Sequence, residues 1–224
     1  MYFLEDIIDD SLPMRPVLPE DFDVLMASGW RAMGTDFVRH SFSLHHQQMC
    51  RTIPLRIALG EYSPRKSHLK LMRRNAHLSV EADPIRITSW HKAVFNAHTV
   101  RFEENAPDAL HLFLARKPHQ IPVRGMQYSV AEPNCLPFSY SFFHIGQRCM
   151  SATYCCFLPY PPYTHYSPGI YTMLLEIERA KEMGLDYYYH GYVYDVPSQF
   201  DYKLHFEGLQ AYDWKKGTWY SLST

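Results

Sequence analysis

The second half of the chain sets the tightest limit on its fold. Residues 127–130, 138–145 and 149–157 each read as a strand, with a tight turn at Gly146-Gln147 joining the last two. A Pro- and Tyr-rich stretch, residues 158–168, interrupts the strands. Ser167 then opens an amphipathic helix with Ile170, Met173, Leu174 and Ile177 on one side. After Gly184 comes an almost wholly aromatic strand, residues 187–194, then a short helical turn at 198–206 and the closing tryptophans Trp214 and Trp219. At 224 residues the chain can bury a real core, and one α/β domain fits that length.

The first half is more helical. Pro19-Glu20-Asp21 starts a helix that turns Phe22, Leu25, Met26 and Trp30 inward, with Gly29 and Gly34 near its end. Residues 40–48 are polar and His-rich and read as a loop. His45 and His46 have no partners at chelating spacing, so they read as solvent-facing and no metal is expected. Residues 52–59 alternate as a strand, with Pro54 suggesting a sheet edge. Residues 88–102 read as a helix, and residues 105–108 cap another short one through Leu114.

Between them lies a cationic run, residues 63–75, in which Arg65, Lys66, His68, Lys70, Arg73 and Arg74 can all carry positive charge. Ser63 reads as its N-cap and Pro64 as its first helical position, with Leu69, Met72 and Ala76 on the packed face. A helix end so charged suits a polyanion, because cations displace counterions from a phosphate backbone; a solvated surface helix is the plain alternative.

Net charge is −1, so nothing global announces a nucleic-acid partner. The distribution is uneven. Residues 1–30 carry seven acids against Arg15, whereas residues 51–101 are dominated by cations, which makes the molecule dipolar. We read residues 1–18 as an acidic N-terminal segment and residues 19–224 as a single domain. The five cysteines lack metal-ligand spacing, and the chain shows neither a signal-peptide pattern nor an apolar run of membrane-spanning length. These features read as a reduced cytoplasmic protein.

Five blocks, in order, resemble the aminoacyl-tRNA–protein transferases, arginyl and leucyl types together. They are Ser28-Gly29-Trp30-Arg31; Ile53-Pro54-Leu55-Arg56 with Tyr62-Ser63-Pro64-Arg65-Lys66-Ser67-His68; Arg73-Arg74-Asn75; Ser167-Pro168-Gly169; and Tyr189-His190-Gly191-Tyr192 with Asp201-Tyr202-Lys203 and Phe206. The resemblance spans residues 19–214. It implies a GNAT-like acyltransferase fold, a mixed central sheet flanked by helices in which an acyl donor lies where two parallel strands splay. The element order of the second half agrees with that fold. Two features depart from the family: the N-terminal cysteine region is absent, and Pro159-Tyr160-Pro161-Pro162-Tyr163 replaces an acidic loop before the helix.

The resemblance further implies an aminoacyl-tRNA as co-substrate, no cofactor, and transfer of arginine or leucine to an amine of a protein or peptide. Arg65, Lys66, His68, Arg73 and Arg74 would hold tRNA phosphates. Ser167 and Gly169 would offer backbone N–H groups to a phosphate or the oxyanion, and Asp201 would bind the substrate amine or cap its own turn. Tyr192, Tyr202 and Lys203 would line the transfer site, and His190 is the candidate local base or a structural residue. An acyl-CoA N-acetyltransferase shares the fold, but Gly169 stands alone where a glycine-rich pyrophosphate turn is needed and Pro168 removes a donor. Transfer to a peptidoglycan stem and a non-catalytic tRNA- or peptide-binding relative complete the alternatives.

Overall fold

Apolar residues at strand spacing close residues 124–157 into an antiparallel meander, and its middle strand is buried at every position because both faces are covered. The computed structural model describes residues 7–102 and 106–222. In chain order the elements are β1 (Asp9–Pro13), α1 (Pro19–Ala27), β2 (Arg31–Met33), β3 (Asp36–His40), β4 (Phe42–His45), β5 (Gln48–Ala58), α2 (Lys66–Arg74), β6 (Ser79–Pro84), α3 (Ser89–Thr99), β7 (Arg124–Ala131), β8 (Ser139–Ile145), β9 (Cys149–Phe157), α4 (Pro168–Glu182), β10 (Tyr187–Tyr194), β11 (Leu209–Asp213) and β12 (Thr218–Ser221).

The large sheet runs β12-β11-β5-β10-β9-β8-β7-β6, with β4 extending β5 as a hairpin; β1, β3 and β2 form a small second sheet. Among the described residues β9 and β10 are the one parallel pair, and α4 makes the crossover between them. Helices cover both faces. On one side His91 of α3 stacks on Tyr140, and Phe22 and Met26 of α1 pack with Tyr189. On the other, α4 places Glu176 against Tyr188, and α2 lies beside α4. Adjacent Tyr188 and Tyr189 therefore face opposite layers, as strand geometry requires.

Local chemistry sets the helix ends. Thr88 and His91 form a reciprocal capping box at α3. Pro19 and Pro168 occupy the first turns of α1 and α4, where a missing N–H costs nothing.

Several expectations are corrected. Residues 40–48 are not a loop: Phe42 to His45 pair with Gln48 to Arg51 around a turn in which His46 and Gln47 take positive φ. β5 is not an edge strand. It pairs with β10 on one side and with β4 and then β11 on the other. Pro54 falls between the β4 and β11 pairings, so its missing N–H removes no ladder bond. α2 begins at Lys66 with Arg65 as N-cap, not at Ser63. Its inward residues are His68 and Leu71, whereas Leu69 is exposed. The short helix expected through Leu114 is a 3₁₀ turn at Leu110–Leu112, and residue 105 of its expected cap lies outside the described residues. Within the acidic head, Asp9 to Pro13 pair with β3, while residues 1–6 lie outside the described residues.

Candidate active site

β9 and β10 stay together for three residue pairs only, Tyr187 to Tyr189 against Cys149 to Ser151. On its other edge β10 continues along β5, but the register shifts between Tyr189 and Gly191. His190 is the extra residue, a bulge that reverses which side chains face which layer. Past it, Gly191 pairs with Leu55 on the α4 side and Tyr192 with Pro54 on the α1 side.

Gly191 sits at φ +101, and a Cβ there would lie 3.0 Å from Lys203 Nζ. Only glycine gives this backbone conformation and this clearance together. Lys203 comes from the 3₁₀ turn Asp201–Leu204, and Phe200 N–H and the turn's own bonds hold that turn in place. Its Nζ donates to Tyr192 O at 3.2 Å and lies 4.8 Å from the Phe200 ring centre and 5.6 Å from that of Tyr192. No carboxylate pairs with it among the described residues. Burial, helped by the charge of Arg31, pulls the ammonium down to about 7.

A second cation faces the same residues from the α1 side. Gly29 turns the chain at φ +82 after α1, with its Cα close against the Tyr212 ring, and delivers Arg31 onto the sheet. The Arg31 guanidinium lies 4.2 Å over the Tyr192 ring, and Nη2 is 3.0 Å from His40 Nε2. His40 accepts this bond as a neutral ring, since burial and then Arg31 push it down to about 4. Gly29, Arg31, His40, Thr52, Pro54, Tyr192 and Trp214 line a shallow crevice too narrow to admit a water molecule. Arg31 also borders a neighbouring pocket that reaches Ser151, Ala152 and Gly191, where β9 and β10 part.

The structure sorts the other candidates. Tyr202 packs against the main core, and burial pushes its hydroxyl up to about 12, so it stays a neutral donor. Tyr192 forms the floor between the two cations, and its hydroxyl lies 3.4 Å from that of Tyr194. His190 does not fit a base. It is 4% exposed, its Nε2 lies 3.3 Å from Lys203 O, and burial with Lys203 pushes it down to about 3. Asp201 is occupied, since its two oxygens accept from Ser198 N–H and Oγ at 3.0 Å each. The turn-capping alternative holds for that residue.

In α2, Lys66, Arg73 and Arg74 are exposed, whereas Arg65 is paired with Glu207 at 3.0 Å. His68 is corrected: it is buried against the Phe206 ring, 4.8 Å away, and is not offered to a polyanion. The last turn of α2 meets the first turn of α4. Asn75 Nδ2 donates to Tyr166 O at 2.8 Å, and Arg74 Nη2 donates to Ser167 Oγ at 3.4 Å. Ser167 takes φ +49 and makes no side-chain cap, and Gly169 has no neighbour nearer its missing Cβ than Phe157 at 3.9 Å. The N-terminus of α4 therefore stands open beside an arginine, a setting suited to a phosphate.

Arg31, His40 and Gly191 were absent from the sequence-based set. Arg31 and Gly191 stand in two of the family-resembling blocks, and a glycine inside a strand pattern is a signal that could have marked a close approach at Gly191. Among the described residues no three His, Cys, Asp or Glu side chains are grouped to hold a metal ion, and no helix is long and apolar enough to cross a membrane.

Residues 92–213, which include β9, α4, β10 and Lys203, match the family model of the arginine-tRNA-protein transferase C terminus. The chain belongs to this family. It is accordingly an aminoacyltransferase. Similar curated proteins include an aspartate/glutamate leucyltransferase of Chromohalobacter salexigens, 26% identical across 86% of this chain and 76% of that one. Another, of Pseudomonas entomophila, is 25% identical across 93% of this chain and 88% of its own length. Among solved structures the likeness is loose: FemX superposes with a TM-score of 0.48 at 9% identity, covering 85% of this chain and 65% of that chain.

Proposed function

We propose that this chain transfers an aminoacyl group, leucyl in preference to arginyl, from a charged tRNA to the N-terminal amine of a protein or peptide. The reading places it in the cytoplasm, with residues 19–224 as a GNAT-like catalytic unit. The observation that carries it is Lys203, an ammonium with no carboxylate partner among the described residues, set against Gly191 at the point where β9 and β10 separate.

An aminoacyl ester brings its own activation, so the reaction needs no metal, nucleotide or other cofactor. The neutral amine attacks the ester carbonyl, a C–N bond forms, and the C–O bond to the ribose breaks. The amine gives up one proton and the ribose oxygen takes one. What remains for the protein is alignment and stabilisation of the oxyanion. We assign the second task to the Lys203 ammonium, with the Tyr202 hydroxyl as a neutral companion donor. On the donor side, Arg74, Ser167 and Gly169 would bind a phosphate near the tRNA terminus, and Lys66 and Arg73 would bind the stem.

Charge favours leucine over arginine. The gap presents Lys203 and Arg31, and an arginyl side chain would add a third cation. The buried acid near it, Glu176, accepts from Tyr188 OH at 2.8 Å, and burial pushes its carboxyl up to about 7. It is poorly suited to a guanidinium. The leucyltransferase names of the relatives agree with this choice.

The test is transfer of label from separately charged leucyl- and arginyl-tRNA to peptides with varied first residues, beside RNase-treated and acetyl-CoA controls. Nuclease-sensitive labelling from leucyl-tRNA supports the reading. Labelling from acetyl-CoA alone would replace it with an acetyltransferase.

A further inference from the structure

Five aromatic rings form a row across the loop that precedes α4. Tyr160 meets Tyr163 edge-on at 5.8 Å, Phe138 stacks on Tyr163 at 4.8 Å and on Tyr166 at 5.4 Å, and Tyr166 reaches His77 at 5.7 Å. The middle of the row belongs to the core, since Phe138 is 1% exposed. Its two ends do not, because Tyr160 is 48% exposed and His77 is exposed as well. The segment is held in shape by its own bonds. Tyr163 N–H donates to Tyr160 O and His165 N–H to Pro162 O, each at 3.0 Å, and Asn75 Nδ2 donates to Tyr166 O at 2.8 Å. Pro159, Pro161 and Pro162 restrict the backbone further. Rings fixed in this way lose little freedom when a ligand settles on them.

We propose that this row is a stacking platform for the unpaired nucleotides at the 3′ end of the donor tRNA, with Tyr160 and His77 as the rings that meet bases. The proposal rests on the transfer reading above and deepens it by saying how the end of the donor is held.

Three observations choose a single-stranded nucleic acid over an acceptor peptide. The first is charge. Arg73 and Arg74 are exposed in the last turn of α2, His77 Nδ1 donates to Arg74 O at 3.1 Å, and the Arg74 side chain donates to Ser167 Oγ at 3.4 Å. Cations for phosphates therefore stand beside rings for bases, the combination that binds unpaired strands whatever their sequence. The second is the state of Glu132. This acid accepts from Tyr166 OH at 2.8 Å, so it is tied into the row and not presented to a peptide amine. The third is position. The row ends at the first turn of α4, where a Cβ on Gly169 would meet Phe157 at 3.9 Å and Thr172 Oγ1 donates to Cys155 Sγ at 3.5 Å. Cys155 in turn lies close enough to Tyr202 to act on its hydroxyl. A strand anchored on the row can thus run along the end of β9 toward Tyr202 and Lys203.

The experiment measures binding and transfer separately. Uncharged tRNA labelled in its body, either intact or trimmed of its unpaired 3′ nucleotides, is titrated with the full chain and followed by fluorescence anisotropy. A further sample carries the fluorescent base 2-aminopurine at the 3′ terminus, where stacking on a ring quenches its emission. The native chain should bind intact tRNA on the order of 10-fold tighter than trimmed tRNA and should quench the terminal base. Tyr160→Ala should weaken binding of intact tRNA by roughly 10-fold and relieve the quench, with trimmed tRNA unaffected. Tyr160→Trp should retain both properties, and thermal melts check that the variants are folded. Equal binding of the two tRNAs by the native chain overturns the proposal. So does a Tyr160→Ala variant that binds intact tRNA normally, or one that loses affinity for both forms alike. Weaker peptide affinity with unchanged tRNA affinity in that variant would hand the row to the acceptor and overturn it too. If the preference for the intact end and the quench are present but no peptide is labelled from charged tRNA, the platform stands and the transfer reading falls.

Discussion

Two arginines on the same face of the sheet, Arg56 buried and Arg31 half-buried, end in different states, and the difference marks where function sits. Arg56 lies where β10 is paired on both edges. Its Nε donates to Gln210 Oε1 at 2.7 Å, its Nη1 to Tyr189 OH at 3.1 Å, and the Tyr187 and Trp219 rings lie 3.8 and 4.5 Å from the guanidinium carbon. Arg31 lies past the bulge, where β9 has left, and is held by neutral partners alone, His40 Nε2 and the side chain of Tyr192, with its guanidinium over the Tyr192 ring. The first cation is consumed by the fold. The second, with Lys203 opposite, has fewer hydrogen-bond partners in the fold and stands beside the gap between β9 and β10. Absence of a carboxylate is not the informative property, since among the described residues both arginines share it; their position relative to the bulge is.

That contrast breaks most directly at Lys203. Lys203→Met should lower single-turnover transfer by ~10³-fold, the scale of losing an oxyanion donor, while tRNA and peptide affinity persist. A drop in peptide affinity with unchanged turnover would place Lys203 among the binding groups instead. Gly191→Ala tests the same point through the backbone. Its positive φ costs about 1–3 kcal/mol, and the new methyl displaces Nζ, so the rate should fall by ~10²-fold. Full activity in this variant would show that the ammonium works from elsewhere.

Arg56→Met should behave in the opposite way. It leaves Gln210 and the Tyr189 hydroxyl without their partner, so chemical denaturation should show a loss of about 2–3 kcal/mol, with peptide selectivity unchanged. A change in selectivity would erase the distinction between the two arginines. Arg73→Glu with Arg74→Glu should reduce tRNA affinity by ~10-fold and the salt slope by about 2, with all tRNAs affected alike.

Acidity offers a gentler probe. The ordinary lysine value is 10.5 and Lys203 is held at about 7, so between these values the unfolded chain retains a proton that the folded chain has released. Stability contributed by this residue must then rise with pH across that window, and the rise should vanish in Lys203→Met when melts are compared from pH 7 to 10. Turnover responds differently. The acceptor amine must be neutral, with a pKa of about 7.7–8.0, while Lys203 must be charged, which confines the optimum to about pH 7–8. Lys203→Arg should lose the alkaline fall.

Features that depend on neighbours along the chain were legible, and those that depend on distant partners were not. The strands at residues 138–157, the amphipathic α4 and the aromatic β10 follow from periodicity alone. The cationic run was visible too, but not its inward face: His68 and Leu71 are buried because Phe206, far along the chain, packs there. Pro54 suggested an edge because a proline costs a ladder bond, yet it sits in the gap between two partners, which one strand's sequence does not reveal. Arg31 stood in the Ser28-Gly29-Trp30-Arg31 block with no role assigned to it. Its place beside Tyr192 is a property of three dimensions, set by the turn at Gly29 and the contact with His40.

The bulge at His190 has a consequence for how such a chain can vary. Tyr189 stands opposite Arg56 and Gly191 opposite Leu55, so His190 is the residue of this stretch without a ladder partner. A deletion at 190 would close the ladder into regular alternation and leave Gly191 and Tyr192 on the layers they now occupy, losing the local bend. The bulge is thus a place where the strand can shorten by one residue without re-sorting its side chains. An insertion between Tyr192 and Tyr194 would instead carry the residues beyond it to the opposite layer.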